Sequence, residues 1–121
     1  MGSYKDMIIY KKAFGLAMDI FEISKRFPKE ETYSLTDQIR RSSRSVCANF
    51  AEAYRRRKYI AHFVSKLTDS DCENSETEVW IDFAFACKYS SAEEHLSLST
   101  KNAEVGKILG SMIQNPEKFI S

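Results

Sequence analysis

Glycine and proline are scarce: Gly2, Gly15, Gly106, Gly110, Pro28 and Pro116 are the only ones in 121 residues. There is no glycine-rich stretch and no GxxxxGK, so no loop is suited to cradling a nucleotide phosphate. Strand-like alternation of useful length is missing, and sheet content should be near zero. Long apolar runs are missing too. The most apolar window, VWIDFAFAC at 79–87, is interrupted by Asp82 and is too short to span a bilayer. The opening MGSYKDM lacks a signal-peptide core and has Asp6 where a myristoylation motif wants Ser or Thr, so the expected location is the cytoplasm. Histidine is limited to His62 and His95, without a matching Ser or Cys arrangement nearby, and no catalytic residue is expected. Cys47, Cys72 and Cys87 are odd in number and share no CxxC spacing. They read as free core thiols in a reducing compartment. Net charge is nearly absent, at +1, so any pull toward nucleic acid must be local.

What is present reads as one soluble globular domain over residues 1–121. Its chain is 43% hydrophobic and 29% charged, and long enough to bury roughly 65% of its unfolded surface without disulfide or metal.

The apolar spacing predicts four helices. The first spans Tyr4–Arg26, with Ile9, Ala13, Leu16, Ile20, Ile23 and Phe27 on one stripe and Met7, Phe14, Met18 and Phe21 beside it. Pro28 closes it. Ser34 with Asp37 predicts a capped start for the second, whose core residues are Leu35, Ile39, Val46, Phe50 and Ala53. A turn is expected near Arg56–Lys58, and a third helix over Tyr59–Lys88. Ser91 with Glu94 opens a fourth helix, with Leu98, Val105, Leu109 and Met112 inward and Pro116 at its end. Short connections make this an all-α, antiparallel up-down-up-down four-helix bundle. Val79, Trp80, Ile81, Phe83 and Phe85 cover nearly every side of helix three. That apolar girth predicts a contact with another copy of the chain.

Arg40, Arg41, Arg44, Arg55, Arg56, Arg57 and Lys58 are opposed within their own stretch only by Glu52. At about 100° per residue the four helix-two arginines fall opposite the apolar sector, as an outward stripe able to follow a phosphate backbone. Asp69, Asp71, Glu73, Glu76, Glu78 and Asp82 form an acidic block on helix three. In a hairpin turning near Arg57, Arg41 would lie level with Asn74 and Arg44 with Asp71. Nucleic-acid binding and mutual neutralisation therefore both remain open. A di-iron site would use inward carboxylates such as Glu22, Glu52, Glu73 and Glu76, but it needs Glu-x-x-His on two helices. Tyr59 and Ala92 stand three residues before the two histidines, so no metal and no cofactor is expected. Glu52 reads as a buried structural carboxylate paired with Asn49 or a helix-three partner. Gly106 and Gly110 suggest close helix packing. RRSSRS matches a basic kinase target only loosely.

FPKEE (27–31), LTDQIRRS (35–42), SVCANFAEA (45–53) and SETEVW (75–80), with YKKA (10–13) and Tyr89, resemble the family of proteins encoded in intervening sequences of bacterial 23S ribosomal RNA. The accessory protein of diversity-generating retroelements is similar. The resemblance implies a bundle assembling as a homopentameric ring. In the retroelement relative a basic pentamer is expected to engage reverse transcriptase and nucleic acid. Gln38, Arg41, Asn49 and Glu52 match the family's Q-x-x-R and N-x-A-E pattern. Ala53 and Arg55 stand where the family's A-E-G-x-G-R has glycines. The expected protein is a non-enzymatic accessory binding RNA or a ribonucleoprotein, or else an oligomeric scaffold whose charges serve assembly. No membrane or small-molecule partner is expected.

Overall fold

A computed structural model describes residues 2–120, which fold into α1 (Ile8–Ser24), α2 (Leu35–Arg55), α3 (Ile60–Ala86) and α4 (Ala92–Gln114). Three short 3-10 turns, Tyr4–Asp6, Lys29–Glu31 and Pro116–Phe119, sit at the connections and ends. The described residues contain no strand. Each helix packs on its chain neighbours, and α1 closes the bundle against α4. Cross-helix contacts run in opposite senses: Ser42 meets Thr77 while Val46 meets Ser70. Lys12 meets Glu104 while Arg26 meets Glu94. Neighbours are therefore antiparallel.

The predicted stripes form the core. Ile9, Ala13, Leu16 and Ile20 of α1 meet Ile39, Val46, Phe50 and Ala53 of α2, Phe63, Leu67 and Ile81 of α3, and Leu98, Val105, Leu109 and Met112 of α4. Phe14 and Met18, beside the α1 stripe, remain exposed. α1 begins later than its periodicity suggests because Ser3 and Asp6 close a reciprocal capping box around the 3-10 turn, after which Met7 is extended. The α2–α3 turn falls at 56–59, as expected.

A polar layer crosses the middle of this core. The Thr77 hydroxyl donates to Ser42 Oγ at 2.8 Å. Asn74 Nδ2 donates to the Asn102 carbonyl, and Asn102 Nδ2 returns the bond to the Asn74 carbonyl, both at 3.1 Å. A Cβ at Gly106 would lie 2.9 Å from Asn74 Nδ2, so this bracket requires the missing side chain. Gly110 faces open space; half of the GxxxG serves close packing.

Two caps differ in outcome. Ser91 and Glu94 form the predicted box at α4. Ser34 makes no side-chain cap at α2. Glu31, one turn earlier, accepts from the Leu35 amide at 3.2 Å, from Ser34 Oγ at 2.6 Å and from the Tyr89 hydroxyl at 2.9 Å. The carboxylate captures Ser34 and joins both loops at that end of the bundle. Those bonds hold Glu31 below the usual carboxylate range and push Tyr89 up to about 12.

Candidate nucleic-acid interface

The basic stretch follows α2 and its exit turn, but its members do not share one face. Arg40 Nε donates to the buried Ser24 hydroxyl at 2.8 Å, and its guanidinium lies 4.8 Å from the Phe21 ring centre. Arg44 reaches toward the same ring at 5.7 Å. Both lean over the α1–α2 seam. Arg41, on the next side of the helix, turns to the α2–α3 seam, where it bonds Gln38 at 3.2 Å, Glu73 at 3.3 Å and Glu76. The expected single stripe is therefore split. Glu76 holds the Arg41 guanidinium above its ordinary value, and Arg41 in turn holds Glu76 down. Burial, with the adjoining Glu76, pushes Glu73 up.

The turn gathers the remaining cations. Arg57 stacks 4.0 Å from the Tyr54 ring centre and donates to its carbonyl at 2.8 Å, so it buttresses the turn. Arg55, Arg56 and Lys58 are exposed. Among the described residues, they and Arg44 form no ion pair with a carboxylate. Arg55, Arg56 and Lys58 stand at the C-terminus of α2, a location that suits cations because helix carbonyls leave negative partial charge there. Tyr59 follows directly, an exposed aromatic that starts α3 without capping it. The aromatic that closes the basic run, in RRRKY, is a feature that the charge count alone does not register.

Other expected site residues fall elsewhere. Glu52 is exposed and pairs with Lys66 of α3 at 2.6 Å, which lowers its pKa, whereas Asn49 bonds the Ser45 carbonyl at 3.0 Å within α2. Of the helix-three cluster, Ile81 is 1% exposed and belongs to the chain's own core. Trp80 is half-buried, with Nε1 3.3 Å from Glu76. Val79, Phe83 and Phe85 are exposed. Phe83 and Trp80 border an apolar groove of about 370 Å³ with Leu35 and Gln38. A second groove, about 360 Å³, runs between α1 and α2 past Phe14, Met18, Ala48 and Arg44.

Only Cys47 is buried, and burial pushes its thiol up to about 11; Cys72 and Cys87 are exposed, because both sit off the apolar stripe. Ser42 and Ser43 of RRSSRS are buried. Among the described residues no group of three or more His, Cys, Asp or Glu is placed to hold a metal ion. His95 approaches Asp82 at 2.9 Å and Ser99 at 3.5 Å through the same ring nitrogen, Nε2. That geometry ties α3 to α4 and does not relay a proton between them. No helix among the described residues is long and apolar enough to cross a membrane.

Residues 5–111 match the model of a family described as the 23S rRNA-intervening sequence protein. Among solved structures, a protein of unknown function from the S23 ribosomal protein family of Bacteroides thetaiotaomicron is 28% identical. The alignment covers 89% of this chain and 100% of that one, with a TM-score of 0.81. No curated protein matches the chain.

Proposed function

The chain belongs to the 23S rRNA-intervening sequence protein family, and from that premise we propose that it is a non-enzymatic accessory protein that binds RNA through the basic end of its bundle. The contact set is Arg55, Arg56 and Lys58 at the α2–α3 turn, with Arg44 about 16 Å back along the same helix. One observation carries this reading: these cations are exposed and form no ion pair, while Asp69, Glu73, Glu76 and Asp82 of the α3 acidic block are engaged with Lys66, Arg41 and His95. The chain's net charge of +1 thus coexists with a local positive end, which is the distribution that phosphate binding needs. Arg41 is assigned to architecture rather than to RNA.

The same protein is proposed to self-associate, as the five-membered ring that the family resemblance implies. Support comes from two different exposed apolar patches, Phe14 with Met18 on α1 and Val79 with Phe83 on α3. Unlike patches meet head to tail, and such contacts close into rings when the rotation permits. Molecular mass in solution tests this element: a Phe83→Glu variant should shift an assembled species toward monomer, and a monomeric wild type would refute it.

RNA binding is tested by fluorescence anisotropy with a structured RNA across a salt series, comparing wild type with Arg55→Glu/Arg56→Glu. Binding lost in the variant supports the basic end. No wild-type binding at low salt would instead favour the scaffold reading, in which charge pairs such as Arg41 with Glu73 and Glu76 serve architecture and assembly.

A further inference from the structure

Tyr59 is 67% exposed, yet its position is fixed. Its amide donates to the Arg56 carbonyl at 2.9 Å, closing the α2–α3 turn, and its carbonyl accepts from the Phe63 amide at 2.9 Å, beginning α3. The ring meets His62 edge to face, with centres 6.1 Å apart. Exposed Ile60 adds apolar surface beside it. Arg56 and Lys58, exposed and unpaired, stand within three residues of the ring. A large aromatic surface is thus presented to solvent on a pinned backbone, next to charges suited to phosphate.

We infer that Tyr59 is a stacking platform for an unpaired base of RNA, with Arg56 and Lys58 holding the flanking phosphates. This rests on the RNA-binding reading above and specifies which part of an RNA the basic end takes. In a duplex the base faces are already stacked inside the helix, so duplex offers this end only its phosphates. A single-stranded segment can offer both a base face and phosphates, and an aromatic side chain accepts any base because each has a π face. Tyr33 supplies the internal contrast. It is more exposed, at 92%, but it follows Glu30 and Glu31 at the opposite end of the bundle, where carboxylates oppose a phosphate chain.

The test measures anisotropy of a short unstructured RNA and of a matched RNA duplex with wild type, Tyr59→Ala, Tyr59→Phe and Tyr33→Ala, each checked for normal helicity and assembly. Tyr59→Ala should weaken single-stranded binding about five- to a hundredfold while changing duplex binding less than about twofold. Tyr59→Phe and Tyr33→Ala should bind both RNAs like wild type. Unchanged single-stranded affinity in Tyr59→Ala, with wild-type duplex binding intact, would overturn the platform and leave phosphate binding standing. An equal loss on both RNAs would also overturn it. If wild type bound neither RNA, both readings would fall.

Discussion

Lys88 adopts φ 66° just beyond α3, a left-handed conformation that costs a residue with a Cβ about 1–2 kcal/mol. The strain is tolerated because this turn satisfies the helix end: the Lys88 amide donates to the Phe85 carbonyl and the Tyr89 amide to that of Ala84. Glycine is the usual occupant of that position. Lys88→Gly should therefore stabilise the protein by about 1 kcal/mol in chemical denaturation. Glu31 permits a second residue-scale prediction. Its folded pKa is depressed by Ser34, Tyr89 and the Leu35 amide, so the unfolded chain binds the extra proton as pH falls. The stabilisation is complete above the ordinary value of 4.5 and disappears as pH drops through the lower folded value. Glu31→Gln should be less stable than wild type at neutral pH and converge with it in acid. Parallel pH profiles of the two proteins would show that Glu31 is not the linked group. Sequence spacing correctly identified the Ser91–Glu94 cap, because both partners are local. Ser34 is the N-cap residue as expected, but its side chain makes no cap because Glu31 accepts its hydroxyl and the Leu35 amide. Glu31 is itself held by Tyr89, 58 residues away in sequence.

At the scale of helices, the apolar stripes were legible because each recurs at helical spacing and Pro28 and Pro116 mark ends. The polar layer was not. Ser42, Thr77, Asn74 and Asn102 look like solvent-facing residues until each acquires a buried partner from another position. Two glycines of α4 separate packing from helix propensity. Gly110→Ala meets open space and should stabilise by up to about 1 kcal/mol. Gly106→Ala crowds Asn74 and should destabilise by about 1–2 kcal/mol, since loss of a buried hydrogen bond outweighs the propensity gain. Thermal unfolding of both variants tests the contrast; equal effects would mean that the Asn74–Asn102 bracket yields freely. The arginine stripe divides at this same scale, and for Arg41 the mutual-neutralisation alternative holds. A helical wheel placed Arg41 among outward residues, but it stands at that sector's margin, within reach of the α3 carboxylates. Their attraction decides its direction.

Across the whole molecule, charge is sorted by end more than by face. Antiparallel packing brings the α2–α3 turn together with both termini, so Arg55, Arg56 and Lys58 share an end with Lys5 and Lys118, opposed there by Asp6, Glu52 and Glu117. The sequence disclosed the cations but not which of them the fold leaves without partners. The central claim is that the unpaired set contacts phosphate, and the salt dependence of RNA affinity tests it most directly. Four contacts on duplex predict a slope of log K against log salt of about −3.6, at roughly −0.9 per phosphate. Arg55→Glu/Arg56→Glu should flatten that slope by about two contacts' worth, roughly 1.8, in a protein of unchanged fold and assembly. A variant whose slope and affinity equal those of wild type would contradict the account.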